Sequence, residues 1–137
     1  MVIDIVDYEI FLRLLVAAIA GGIIGLERKA SHKPAGTRTQ MLISIGAALF
    51  IIITMSFDNA DPARIIAGIV TGIGFLGAGA IFQSKDGVYG LTTAASIWTT
   101  AAIGISAGVG EYILTLVATL IVLLILQLNK INFFREL

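Results

Sequence analysis

Residues 10–57, IFLRLLVAAIAGGIIGLERKASHKPAGTRTQMLISIGAALFIIITMSF, hold two long apolar stretches on either side of a short basic loop. The first stretch covers about 10–26 and the second about 38–57. A helix needs about 20 residues to cross the roughly 30 Å hydrocarbon core of a bilayer, and both stretches come close to that length. This segment therefore predicts two transmembrane helices joined as a hairpin.

Three further apolar stretches follow, and they leave little sequence outside the spans. They cover about 64–82, 91–107 and 111–128. The third span follows Asp61-Pro62, and Asp as N-cap with Pro at the first helical position is a strong helix start. We therefore predict an all-α fold, a polytopic membrane helix bundle of five transmembrane helices that forms a single domain over residues 1–137.

The composition agrees with a membrane protein and argues against most classes of enzyme. Of the 137 residues, 58% are hydrophobic and 13% are charged, against about 25% charged in an ordinary soluble domain. Cysteine is absent and His32 is the single histidine, which excludes thiolate chemistry and multi-histidine metal sites. The formal net charge of zero gives no electrostatic basis for binding nucleic acid. We expect no enzymatic activity, no cofactor and no metal.

Lysine and arginine predict the orientation of the spans. If the spans alternate in direction, seven of the nine cations lie on one side of the membrane, whereas Arg13 and Arg64 lie on or near the other. Cytoplasmic loops carry the excess of Lys and Arg. The amino terminus is therefore predicted outside and the carboxyl terminus in the cytoplasm. The seven cations are Arg28, Lys29, Lys33, Arg38, Lys85, Lys130 and Arg135.

A weak internal repeat relates the first two spans to the next two. Gly36-Thr37-Arg38-Thr39 opens the second span and Gly90-Leu91-Thr92-Thr93 opens the fourth, and Ala47-Ala48 and Ala101-Ala102 follow at the same offset. The match predicts two repeated hairpins and a fifth helix outside the repeat, as in parallel transporter repeats. The alternative is a chance match within an apolar alphabet.

Small residues distinguish the spans expected inside the bundle from those at its edge. Glycine lets helix backbones approach closely in lipid. The fifth span has no glycine over residues 113–128, so we expect it at the periphery. The glycine faces of spans one and three either pack within the bundle or also form a homodimer or higher oligomer. The packing glycines are Gly21, Gly25, Gly68, Gly72 and Gly77.

The fourth span is the most polar, and its hydroxyl side chains fall on one side of a helix. An arc of this kind faces protein or water rather than lipid. Two interpretations remain, which are hydrogen bonding between helices and a solvated pathway. The hydroxyl side chains are Thr92, Thr93, Ser96, Thr99, Thr100 and Ser106.

Charged and hydroxyl side chains at the cytoplasmic ends of the spans form the candidate site. Glu27 is expected to pair with Arg38 across the hairpin or to face water. Two helix amino termini meet at this level, and their free N–H groups favour an anion or a carboxylate. In the alternative, Glu27 itself caps these helix starts and nothing else binds. The site comprises Glu27, Arg28, Arg38, Thr39, Thr92, Thr93 and Ser96.

Five short runs in a fixed order cover nearly the whole chain. They are Gly25-Leu26-Glu27-Arg28, Pro34-Ala35-Gly36-Thr37-Arg38-Thr39, Asp61-Pro62-Ala63-Arg64, Gly72-Ile73-Gly74-Phe75-Leu76-Gly77-Ala78-Gly79 and Gly90-Leu91-Thr92-Thr93-Ala94-Ala95-Ser96-Ile97-Trp98. Together these runs resemble the MgtC/SapB family of bacterial membrane proteins. The ordered set carries the resemblance, since a lone glycine-rich run would not.

The resemblance implies a bacterial inner-membrane protein that is linked to adaptation to low magnesium and to virulence, through survival inside macrophages. It implies inhibition of ATP synthase and altered phosphate uptake, which makes ATP synthase or another membrane complex the expected partner beside the lipid bilayer. Better-known members of the family carry a cytoplasmic domain resembling the ACT fold after the last span. This sequence ends at Leu137, so the resemblance is to the membrane domain.

Two classes of function are compatible with these observations. The first is a regulator of membrane energetics or ion homeostasis that acts through membrane partners by helix packing. The second is a small ion or solute transporter or channel with a pathway lined by the fourth span. The second class requires the polar arc of that span to meet water, and the first class does not.

Overall fold

The computed structural model describes residues 3–128, with side chains from Tyr8 onward. Five helices account for most of this part of the chain, which confirms the predicted helical bundle. Lys130 and Arg135, which contribute to the predicted orientation, lie outside the described residues. The helices are α1 (Ile3–Ala30), α2 (Thr37–Thr54), α3 (Pro62–Gly79), α4 (Leu91–Gly108) and α5 (Tyr112–Gln127).

The helix boundaries follow from local side-chain and backbone chemistry. Asp61 caps α3 as predicted, because its Oδ1 accepts from the backbone N–H groups of Ala63 at 3.0 Å and Arg64 at 3.4 Å. The last turn of α1 closes when Lys33 N–H donates to the Arg28 carbonyl and His32 N–H donates to the Lys29 carbonyl. His32 has a φ of 53°, so the single histidine is the left-handed residue of a Schellman motif.

α1, α2 and α4 form the centre of the bundle, and glycine allows their close approach. A Cβ atom at Gly21 of α1 would lie 2.6 Å from the Gln40 carbonyl oxygen and 2.8 Å from the Ser44 Cβ on α2. A Cβ atom at Gly104 of α4 would lie 2.8 Å from the Ser44 Cα on its other side. Ser44 therefore sits at a junction of three helices that only glycine permits.

α3 and α5 lie at the periphery. α5 buries only Thr115, Thr119 and Leu126 along its length, in agreement with the predicted edge position. α3 differs from the expectation that its glycine face packs within the bundle, because Gly77 is its one buried residue. A Cβ atom at any of its other glycines would meet nothing within 4 Å. The sequence could not predict this exposed face, because hydropathy and glycine content do not specify which neighbour a helix packs against.

A short β-hairpin, which the sequence pattern did not predict, connects α3 to α4. Strand β1 (Phe82–Ser84) pairs with strand β2 (Gly87–Tyr89) in antiparallel register. The rings of Phe82 and Tyr89 stack with centroids 5.4 Å apart. Helix α3 therefore ends at Gly79 rather than at residue 82. The Asp86-Gly87 pair between two aromatic residues is the signal that would have predicted this hairpin.

Three of the described helices are long and apolar enough to cross a membrane, judged by length and composition. They are the Tyr8–Ala30 part of α1, α2 and α3. Helix α5 is apolar but has 16 residues, and α4 has 18 residues that include six hydroxyl side chains. The loops α1–α2 and α3–α4 lie at one end of the bundle. We call it the predicted cytoplasmic end, and the opposite end the predicted outer end. The five-span topology stays a prediction.

A buried polar core and candidate interaction sites

A buried ion pair lies at the predicted cytoplasmic end of α1. Glu27 and Arg28 are 7% and 3% exposed, and Arg28 Nη2 lies 2.7 Å from Glu27 Oε2. The Ser31 hydroxyl donates to Glu27 Oε1 at 2.6 Å. A buried carboxylate is tolerated when a cation and further donors satisfy it. Two side chains that contact Glu27 thus lie one and four residues further along the chain, Arg28 in the last turn of α1 and Ser31 just beyond its end.

The other predicted site residues separate into two groups. Arg38, Thr39 and Thr92 are exposed, whereas Thr93 and Ser96 are buried on α4. An ion pair between Glu27 and Arg38 does not occur among those found for the described residues, where Arg28 takes that position. The sequence could not distinguish these arginines, because both lie within a few residues of the predicted membrane boundary.

A column of buried polar side chains lies where α1, α2 and α4 meet, and it was only half predicted. Gln40, Ser44 and Thr100 are 0% exposed. The Gln40 Nε2 group donates to Ser96 Oγ at 3.0 Å, and the Ser96 hydroxyl donates to the Thr93 carbonyl at 2.8 Å. The spacing of three and four residues within an apolar span was the available signal. We call this column the polar seam, and it consists of Thr37, Gln40, Ser44, Ser96 and Thr100.

The polar seam ends at an apolar layer at the last turn of α4. Ala17, Ala48 and Ala107 are each 0% exposed and pack together there. A Cβ atom at Gly108 would lie 2.8 Å from the Ala48 carbonyl oxygen, so α2 and α4 are in backbone contact at this level. Among the described residues, the seam therefore does not continue to the predicted outer end.

The hydroxyl arc of α4 divides between protein contacts and outward positions. Besides the Gln40–Ser96 bond, Ser106 Oγ and Thr115 Oγ1 of α5 lie 2.8 Å apart. Thr99 instead bonds the Ala95 carbonyl of its own helix. Two hydrogen bonds between helices thus arise from the arc, which favours the interhelical interpretation over an open pathway.

A second charged cluster lies at the predicted outer end and was missed by the sequence analysis. Arg13 Nε lies 3.0 Å from Glu9 Oε1, and Arg13 Nη1 donates to the Gly108 carbonyl at 3.0 Å. The Tyr112 hydroxyl donates to the same Glu9 oxygen at 2.8 Å. The cluster ties the start of α1 to the turn between α4 and α5. Its sequence signal is the Glu-Arg pair four residues apart on one helix.

An apolar groove of about 830 Å³ separates α2 from α3. Gly46, Gly68 and Gly72 line it, and a Cβ atom at any of them would meet nothing within 4 Å. Arg64 lines the predicted outer end of the groove and has no ion pair among those of the described residues. The groove opens on the lipid-facing side of the bundle and can accept a further apolar segment.

The described residues contain no group of three or more His, Cys, Asp or Glu side chains that could hold a metal ion. Glycine-mediated helix contacts, a buried polar seam and an apolar exterior define a small helical membrane protein. The chain belongs to the MgtC family, whose family model matches residues 14–132.

Relatives from enteric bacteria support this membership. The chain is 47% identical over 128 residues to YhiD of Escherichia coli (strain K12), whose name assigns it provisionally to magnesium transport. It is 45% identical over 116 residues to protein MgtC of Salmonella typhimurium (strain LT2). These alignments cover 87% and 85% of this chain but 60% and 50% of the relatives, so the chain spans little more than half of their length. No solved structure matches the chain.

Proposed function

We propose that this protein is a regulator of membrane energetics or ion homeostasis in the bacterial inner membrane, acting through direct contact with a membrane partner. The amino terminus lies outside and the carboxyl terminus in the cytoplasm in this proposal, in line with the distribution of Lys and Arg. Membership of the MgtC family supports a role in adaptation to low magnesium. ATP synthase and the phosphate-uptake system are the proposed targets.

The groove between α2 and α3 is the observation that carries the proposal. Gly68 and Gly72 form a Gly-x-x-x-Gly face, a pattern that brings transmembrane helices together. From Arg64 to Leu76 the groove follows α3 over 13 residues, about 18 Å for 12 steps of 1.5 Å. That length exceeds half of the hydrocarbon core. A transmembrane helix of the partner fits this surface, and an acidic residue near its outer end would pair with Arg64.

Transport is the second candidate, and the polar seam together with the name of the YhiD relative favours it. The seam is closed by the layer of Ala17, Ala48 and Ala107, which supports regulation over a conducting path. Purified protein in liposomes separates the two functions. A regulator moves neither Mg²⁺ nor phosphate, and sustained uptake of either ion would establish transport.

Filling the groove tests the proposal in cells. Gly72→Leu places a bulky side chain in the groove from a position where an added Cβ meets no atom within 4 Å, whereas Gly74→Leu adds the same side chain to α3 outside the groove. We expect both variants to accumulate in the membrane at wild-type level. Gly72→Leu should lose the growth advantage at low magnesium, and Gly74→Leu should keep it. Wild-type growth of Gly72→Leu would contradict a role for the groove.

A further inference from the structure

Within residues 8–128, four buried side-chain polar atoms have no hydrogen-bond partner. They are Thr37 Oγ1, Gln40 Oε1, Ser44 Oγ and Thr100 Oγ1. All four belong to the polar seam, and three of the four residues are completely buried. A buried polar group without a partner loses its hydration and gains nothing in return. Four such atoms in one column therefore indicate a missing polar ligand rather than an isolated packing defect.

The helix contacts bring these atoms to neighbouring levels. Gln40 bonds Ser96 of α4, the Ser44 backbone lies against Gly104 of α4, and the Ser44 Cβ lies against Gly21 of α1, so these residues meet at the junction of the three helices. Thr100 lies one helical turn from Ser96 and one turn from Gly104. The Thr100 hydroxyl is therefore level with the space between Gln40 and Ser44. Thr37 precedes Gln40 by one turn at the predicted cytoplasmic end.

The hydroxyl groups of the seam behave differently from the other hydroxyl groups of the bundle. Thr54, Thr71 and Thr99 each donate to the carbonyl four residues earlier, at 2.7 to 2.9 Å. That bond is the usual way to satisfy a hydroxyl within a transmembrane helix. Ser44 and Thr100 make no such bond, and their oxygens remain unpartnered. Their hydroxyl groups are thus available to a ligand between the helices.

The chemistry of the four groups selects the ligand. Hydroxyl groups both donate and accept, and the amide oxygen of Gln40 accepts. None of them carries a charge, and the nearby carboxylate of Glu27 is already paired with Arg28. No charge on the seam offsets the desolvation of an ion, and the hydroxyl groups offer donors as well as acceptors. It suits water, which makes two to four hydrogen bonds at buried polar sites.

We infer that the polar seam binds ordered water molecules that bridge α2 and α4 from Thr37 to Thr100. The water enters from the predicted cytoplasmic end and stops at the layer of Ala17, Ala48 and Ala107. The bridging bonds add to the glycine contacts at Gly104 and Gly108 and to the direct side-chain hydrogen bond between Gln40 and Ser96. The bound water is independent of the proposed regulatory function.

Thr100→Val tests the inference, because valine keeps the shape of threonine and removes the hydroxyl group. If Thr100 bonds water, the variant loses that bond and leaves a water molecule short of a partner, so its melting temperature in detergent falls by several degrees. If the seam is dry, the removal of an unpartnered hydroxyl leaves the melting temperature unchanged or raises it, which would overturn the inference. Thr99→Val is the matched control on the neighbouring residue and should change the melting temperature little.

Water-edited solid-state NMR on the wild-type protein in bilayers provides a second and independent measurement. Magnetisation from water should reach the Gln40 side-chain amide and the Thr100 methyl group within the time needed for surface residues. The methyl groups of Ala48 and Ala107, in the apolar layer, serve as dry references. Build-up at Gln40 and Thr100 as slow as at these alanines would refute bound water, even if Thr100→Val fails to fold.

Discussion

At the scale of single residues, the bundle depends on which glycines meet another backbone. Gly21 and Gly104 lie on either side of Ser44, whereas Gly68 faces open space. The sequence identified Gly21 and Gly68 with equal weight, because both belong to small-residue stripes in apolar spans. It could not tell which stripe would be covered, since that depends on contacts between residues far apart in the chain.

Alanine at these positions should separate the two kinds of glycine. Gly21→Ala and Gly104→Ala force a methyl group against the backbone of α2, and we expect each to destabilise the fold by about 1–3 kcal/mol, the usual cost of overpacking. Gly68→Ala meets no atom of this chain and should leave stability unchanged or slightly higher. Thermal unfolding of the three variants in one detergent makes the comparison. Equal loss of stability in all three would contradict the arrangement of the helices.

At the scale of the elements, the ends of the helices were easier to predict than which helices pack against each other. Asp61 and Pro62 begin α3 because of capping chemistry that is local in sequence. The peripheral position of α5 followed from its composition. The position of α3 could not be predicted from its composition. The outer cluster could not be predicted either, because Glu9 and Tyr112 are 103 residues apart in the sequence. Pairing at that separation depends on the packing of α1 against α5.

The outer cluster makes a prediction about how these elements are held. Tyr112→Phe removes the hydroxyl group that bonds Glu9 while it keeps the ring, and we expect α5 to detach more readily from α1. The rate of disulfide formation between cysteines placed on α1 and α5 should fall in this variant, with a melting temperature lower by a few degrees. Tyr8→Phe, on the exposed Tyr8 of the same helix as Glu9, is the control. An unchanged crosslinking rate in Tyr112→Phe would show that the cluster does not hold α5.

At the scale of the whole molecule, charge predicts how the bundle lies in the membrane. The basic residues of the α1–α2 loop and of the β-hairpin lie at one end, and the acidic residues around Asp58 and Asp61 lie at the other. Lys33→Cys and Asp58→Cys, made on the cysteine-free background, should therefore react with a membrane-impermeant maleimide from opposite sides. Labelling of both cysteines from the same side would contradict the orientation and the alternation of the spans.

The molecule as a whole was predictable as a helical membrane protein, and its candidate site was predictable only in part. Thr93 and Ser96 are buried on the inner face of α4 as the periodicity of the hydroxyl groups indicated, and Glu27 lies in a buried charged cluster. Three features depend on three-dimensional contacts and could not be predicted. They are the pairing of Glu27 with Arg28 rather than Arg38, the burial of Gln40 and Ser44, and the open groove. The groove and the polar seam, on which the proposals rest, are thus the features that the sequence predicts least well.

The central claim is that the groove between α2 and α3 binds a helix of a membrane partner. Photocrosslinking from the groove tests this claim most directly. A photoreactive amino acid is placed at position 72, inside the groove, or at position 74, on α3 outside it. In cells grown at low magnesium, position 72 is predicted to give one discrete adduct that antibodies identify as a membrane subunit of ATP synthase or of the phosphate-uptake system. Position 74 is predicted to give none. Adducts with lipid alone from position 72, or the same products from both positions, would contradict the account.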